Sequence, residues 1–178
     1  ENGGNLLQIS TDFVFDGNNI NPYLPEDITN PINVYGKSKD EGDKIILSLL
    51  ESSNQVNIIR TSWLMGPVGK NFLKTMIRLH NRNDILRVVY DQIGCPTSTY
   101  SLANTCWELI FKSQGEKSIP NILHWSDAGV ASWYDISVAI GELGKKYGLI
   151  SEPAFVDPIT TDMFPTYAKR PKYSLLNC

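Results

Sequence analysis

The sequence predicts an α/β protein built on a parallel sheet, and three observations carry that prediction. Leu6-Leu7-Gln8-Ile9-Ser10 is a short apolar run of the kind that forms a strand buried on both faces. A polar loop and then a segment of helical period follow it. Val56-Asn57-Ile58-Ile59-Arg60-Thr61 is short and β-branched, so strand, loop, helix and strand succeed one another, the order that builds parallel sheets with crossover helices.

Each element has a local signal. Asp16-Gly17-Asn18-Asn19 marks a turn, and the polar stretch to Thr29, with Pro22 and Pro25, reads as a surface loop. Asn30-Pro31 offers a cap and a proline suited to a first helical turn. From there Tyr35, Ile45, Ile46, Leu49 and Leu50 recur at helical spacing until Ser52-Ser53, a helix of about five turns. Beyond Gly66-Pro67 the pattern predicts helices over 71–81, 101–112 and 132–147 and strands over 86–90 and 121–125. The tail, punctuated by Pro153, Pro158, Pro165 and Pro171, is expected to wrap the surface as extended loops rather than form a separate domain.

Composition narrows the function classes. With 178 residues, 42% hydrophobic and 20% charged, the chain can bury a core and does not read as disordered. Its longest apolar runs, such as 45–50, are too short to cross a bilayer, and no signal-peptide pattern opens it, which points to a cytoplasmic protein. A net charge of −3 with scattered basic residues argues against nucleic acid as a partner. Cys95, Cys106 and Cys178 are odd in number and widely spaced, and only His80 and His124 are available as nitrogen ligands, so small buried thiols are expected and no metal site. Met76, Leu79 and an exposed sheet edge are the features that would promote association into a homodimer.

Tyr35 and Lys39 lie four apart on the predicted helix and share a face. A tyrosine can protonate a carbonyl oxygen as it becomes an alkoxide, and a neighbouring ammonium, which typically lowers such a pKa by about 1 to 3 units, suits it to neutral pH. The same lysine can hold a ribose. With eight tyrosines in the chain the spacing alone is weak, since chance supplies it in about one such sequence in two. More specific is Ser10-Thr11-Asp12-Phe13-Val14-Phe15-Asp16-Gly17, where a buried strand ends in hydroxyl and carboxylate groups. Ligands of parallel sheets gather at the carboxyl ends of strands, although Thr11 and Asp12 alone would also serve as turn caps.

These two segments, with Arg60-Thr61-Ser62-Trp63, Asn71-Phe72, Asp91-Gln92, Gly94-Cys95-Pro96-Thr97, Arg170-Pro171 and Ser174-Leu175-Leu176-Asn177, resemble the extended short-chain dehydrogenases/reductases, in the branch of the dTDP-4-dehydrorhamnose reductases. The resemblance covers nearly the whole chain. It implies the C-terminal part of a Rossmann-type parallel sheet plus a smaller mixed α/β substrate-binding region, divided at 66/67, with helix 101–112 packing back on the sheet. It implies a reductase that transfers hydride from NADPH or NADH to the C4 ketone of a dTDP-sugar substrate, dTDP-4-dehydro-L-rhamnose. Tyr35, Lys39 and Thr11 would be catalytic, with Tyr35 and Lys39 also binding the cofactor, and Thr11, Asp12 and Trp63 would bind the sugar. For Trp63 the competing reading is a core aromatic at a strand end.

The chain departs from that pattern in two places. No glycine-rich dinucleotide fingerprint opens a βα unit, and Gly3-Gly4 is no substitute, so the chain reads as an internal fragment expected to be inactive alone. Cys95 stands where the family commonly has alanine. Among other readings, a 4,6-dehydratase needs a glutamate base next to Thr11-Asp12, where this chain has Phe13. An epimerase fits the surrounding motifs less well. A non-catalytic dinucleotide-binding subunit, like that of methionine adenosyltransferase, shares the Tyr-x-x-x-Lys element but is disfavoured by Trp63.

Overall fold

The computed structural model describes residues 4–50, 55–82, 84–113 and 119–178. Its elements run β1 (Leu6–Thr11), α1 (Val34–Leu50), β2 (Val56–Thr61), β3 (Leu64–Met65), α2 (Phe72–His80), β4 (Ile85–Val89), β5 (Ile93–Gly94), β6 (Thr97–Ser98), α3 (Thr99–Ser113), β7 (Ile122–Trp125), β8 (Ala131–Ser132), α4 (Trp133–Lys146) and β9 (Phe155–Ile159). β1, β2 and β7 form a parallel sheet in that order, with Thr11 opposite Thr61 and Thr61 opposite Trp125. The carboxyl ends of all three strands therefore open at one edge. Around them lie β4 paired with β9, the short β3 with β6, and the antiparallel β5 with β8.

The expected strands and helices are present, and several expectations are corrected. Leu6 is 38% and Ile9 43% exposed, because among the described residues β1 pairs with β2 alone. The helix begins at Val34 because Asn33, not Asn30, caps it, its Oδ1 accepting from the Gly36 N–H at 2.7 Å. Asn30 instead donates its backbone N–H to Val14. Its expected end at Ser52-Ser53 falls outside the described residues. Third, the tail is not all loop: 155–159 is a strand, and Phe155 donates to Asp84 while Ile159 accepts from Tyr90. Alternation then turns the N–H-less Pro158 away from β4, so proline is tolerated there. Fourth, Met76 is 6% exposed and belongs to the core between α2, α4 and β4–β9, so it is not free to form an association surface, while Leu79 is only half-buried against that core.

The face that α1 buries is polar. Gly36, Asp40 and Asp43 point inward, while Tyr35, Ile45 and Leu49, which set the helical period, are exposed. Asp43 Oδ2 accepts from the Ser10 hydroxyl at 2.6 Å and lies 3.7 Å from Arg60 Nε, which is itself 4% exposed. Arg60 also donates to the Pro25 carbonyl at 3.1 Å and stands over the Phe15 ring. Burial pushes the Asp43 carboxyl up and the Arg60 guanidinium down from their ordinary values, and the pair opposes both shifts. The thiols divide: Cys95 is buried, Cys106 half-buried and Cys178 exposed, so only the first fits the expectation for all three.

At Gly36 any Cβ would overlap the Phe13 carbonyl oxygen and meet Pro31 Cβ at 3.0 Å. Helix and strand-end turn thus touch backbone to backbone. Gly36→Ala is expected to lower stability by about 1–3 kcal/mol, as for other overpacked sites, despite alanine's better helix propensity. Urea unfolding checks this, and a stabilised variant would contradict the close contact.

Candidate active site

β1 delivers Thr11 and Asp12 to the open edge of the sheet. Both are buried, and the Thr11 hydroxyl donates to Asp12 Oδ1 at 3.0 Å while accepting from the Phe13 N–H at 3.2 Å. The chain then turns through a short 3-10 segment, Asp12–Val14. Asp12 Oδ2 is buried with no hydrogen-bond partner. Burial raises the Asp12 pKa from the usual 3.8 to about 6, against the opposing pull of the Ser174 and Thr11 hydroxyls. A carboxyl group poised near neutrality at a strand end is a common mark of a working site.

The first two turns of α1 bring Tyr35 and Lys39 to the same edge. Tyr35 packs its ring edge-on against Phe13, centroids 5.9 Å apart, and remains 55% exposed. One turn on, Lys39 donates from Nζ to the Ile9 carbonyl at 2.6 Å. The ammonium is therefore tied to β1 beside the strand end that carries Thr11. A phenol that can give up a proton and a fixed cation that can bind hydroxyl groups are thus held on one side of the sheet.

Trp63 lies two residues beyond Thr61 at the end of β2. Its backbone has φ 45°, and its indole stacks on Trp133 at 3.8 Å with 14° between the planes. The ring also packs against the core between α2, α4 and β4–β9 and lies beside the Gly94 backbone, which the Ser174 hydroxyl approaches as well. Trp133 also helps to line an open cavity of about 430 Å³, together with Phe72, Met76 and Gln92 and the cationic Arg87 and Arg170. Neither Trp133 nor Arg87 belongs to the motifs that stand out in the sequence. The readable signal was Ser132-Trp133-Tyr134-Asp135, whose capping box sets an aromatic residue at the first position of α4.

His80 and His124 are buried and bond the backbone carbonyls of Ser137 and Tyr23, each at 3.0 Å. Burial, with Arg60 nearby, depresses the His124 pKa to about 4. Among the described residues no group of three His, Cys, Asp or Glu side chains is arranged to hold a metal ion, and no helix is long and apolar enough to cross a membrane.

Comparison with known proteins places the whole chain among named relatives. A dTDP-4-dehydrorhamnose reductase from Aggregatibacter actinomycetemcomitans is 42% identical over 173 residues, 97% of this chain and 58% of that protein. Among solved structures, a dTDP-4-dehydrorhamnose reductase from Bacillus anthracis in complex with NADP superposes with a TM-score of 0.86 at 37% identity, covering 98% of this chain and 57% of that one. The corresponding protein from Clostridium acetobutylicum gives a TM-score of 0.85 at 41% identity, again covering 98% and 57%. The chain thus spans rather more than half the length of these relatives. All of it, residues 1–178, matches a single family description, and the chain belongs to the RmlD substrate binding domain family.

Proposed function

We propose that this chain carries the catalytic pair and the sugar-nucleotide site of a reductase acting on the C4 ketone of dTDP-4-dehydro-L-rhamnose. The observation that carries the reading is the meeting of α1 with the end of β1, which puts Tyr35, Lys39, Thr11 and Asp12 at one sheet edge. Residues 1–66 bear the catalytic groups and 67–178 mainly the substrate site, with β7 returning to the first sheet. Reductases of this name among its relatives, and the complex of one of them with NADP, support the substrate and cofactor classes.

In this reading Tyr35 gives its proton to the oxygen of the carbonyl as that oxygen gains charge, and its exposure leaves the hydroxyl free to meet a substrate. Thr11 and Asp12, the hydroxyl and carboxyl at the end of β1, hold the sugar near that oxygen. Tyr35 and Lys39 offer a hydroxyl and an ammonium one turn apart, a donor set that fits the ribose of a nicotinamide cofactor, NADPH or NADH. Such a cofactor supplies the hydride when bound. The apolar cavity receives the thymidine, and Arg87 and Arg170 at its wall meet the diphosphate, since guanidinium groups pair well with phosphate oxygens. Phe13 cannot act as a base, which favours reduction over dehydration.

In the protein carrying this chain, Tyr35→Phe is expected to lower kcat by about 10²- to 10⁴-fold with cofactor binding nearly intact. Undiminished turnover would remove Tyr35 from the chemistry. Lys39→Met is expected to weaken cofactor binding and turnover together, read from steady-state kinetics and a binding titration; a change in neither would separate Lys39 from the site. Asp12 makes a pH-dependent prediction. Its folded pKa of about 6 lies above the unfolded 3.8, so the native state holds the proton more tightly. Its ionisation then costs stability that is fully felt above about pH 6 and relieved as pH falls toward 4, by about 3 kcal/mol for two pKa units. Asp12→Asn should therefore stabilise the fold at pH 7 and lose that advantage near pH 4, as followed by urea unfolding at both values. A gain of equal size at both would refute the burial account.

A further inference from the structure

Trp63 is the one non-glycine residue with positive φ among the described residues, at 45°. A bulky residue keeps that backbone conformation only where its surroundings fix it. Two contacts do so. Gly94 passes so close that a Cβ there would lie 2.8 Å from Cε2 and Cζ2 of Trp63, and the Trp133 indole lies flat against the ring at 3.8 Å.

Trp133 is itself held by a chain of bonds that leads away from Trp63. Its Nε1–H donates to Gln92 Oε1 at 3.1 Å, Gln92 Nε2 donates to Thr161 Oγ1 at 3.2 Å, and the Thr161 hydroxyl and N–H both donate to Asp91 Oδ1 at 2.7 Å. The Ser132–Asp135 capping box fixes its backbone. Phe72, at the first position of α2, leans on the same ring at 4.6 Å. Phe72, Gln92 and Trp133 face the cavity, whereas Trp63 is not in its wall.

We propose that Trp133 is a positioning residue that sets Trp63 for the sugar and couples that setting to filling of the cavity by the nucleotide. The inference rests on the reading that the cavity takes the thymidine nucleotide and on the sugar contact that the family resemblance implies for Trp63. A ligand against Trp133 restricts the ring on which Trp63 stacks, so binding at the nucleotide end orders the group at the reacting end. Binding energy of a remote part of the substrate is spent in this way on orientation.

Two closely stacked indoles give an exciton couplet in far-ultraviolet circular dichroism, and Trp63→Phe and Trp133→Phe should each abolish it. Titrating this chain with dTDP, calorimetry should register binding and the couplet should change along the same isotherm. Heat of binding without any change in the couplet would overturn the coupling while leaving the proposed function standing. Absence of dTDP binding would overturn the cavity assignment, and the inference with it. In turnover by the protein carrying this chain, Trp133→Leu should lower kcat about tenfold or more while KM moves less, and Trp133→Phe should recover much of the loss. Equal kcat in all three would also sink the inference, and the wild-type titration decides it even if Trp133→Leu does not fold.

Discussion

Contact between the first turn of α1 and the backbone of Phe13 is the constraint on which the site depends. Any side chain at position 36 would strike the Phe13 carbonyl, so this single glycine sets how near the helix comes to the strand end. Asn33 fixes where the helix begins, and in doing so ties it to the Lys169 carbonyl at 2.9 Å. With both ends of the contact fixed, Tyr35 reaches Phe13 and Lys39 reaches Ile9 without any flexible loop between them. Sites held on regular elements in this way keep their geometry better than sites held on loops.

Beneath that contact lies charge rather than a hydrophobic stripe. Removing one partner of a buried ion pair typically costs about 3–5 kcal/mol, whereas replacing both by well-packed apolar groups is often neutral, so Asp43 and Arg60 are better understood as fixing register than as adding net stability. The geometry agrees, because Ser10, Asp43 and Arg60 join β1, α1 and β2 at the level of the strand ends, and Arg60 reaches on to the Pro25 carbonyl of the following loop. The C-terminal segment closes the arrangement from the other side: Lys172 and Ser174 bond Ile93, and Leu175 and Asn177 bond Tyr23. That path brings Ser174 to Asp12, so a residue at the end of the chain tunes a carboxyl group at its beginning.

Legibility followed the physics of each element. β2 and α4 were readable because the one is a compact β-branched run and the other carries a serine cap with helical period behind it. β9 was hidden by Pro158, whose missing N–H is harmless only because it turns away from β4, a fact of register that no local pattern contains. The start of α1 is ambiguous in the sequence because Asn30-Pro31 and Asn33 offer equal local signals, and only the bond to Gly36 decides between them. Thr11, Asp12, Tyr35 and Lys39 stood out as chemical types at telling positions. Trp133, Gln92 and Arg87 did not, because their part depends on contacts across separate elements.

A double-mutant cycle on turnover between Gly36→Ala and Tyr35→Phe, in the protein carrying this chain and where all variants are folded, tests the central claim most directly. If the helix contact matters because it places the Tyr35 hydroxyl, Gly36→Ala should reduce kcat when Tyr35 is present and have little further effect once that hydroxyl is gone. Equal losses in both backgrounds would contradict the account, since the contact would then serve the fold without placing the proton donor.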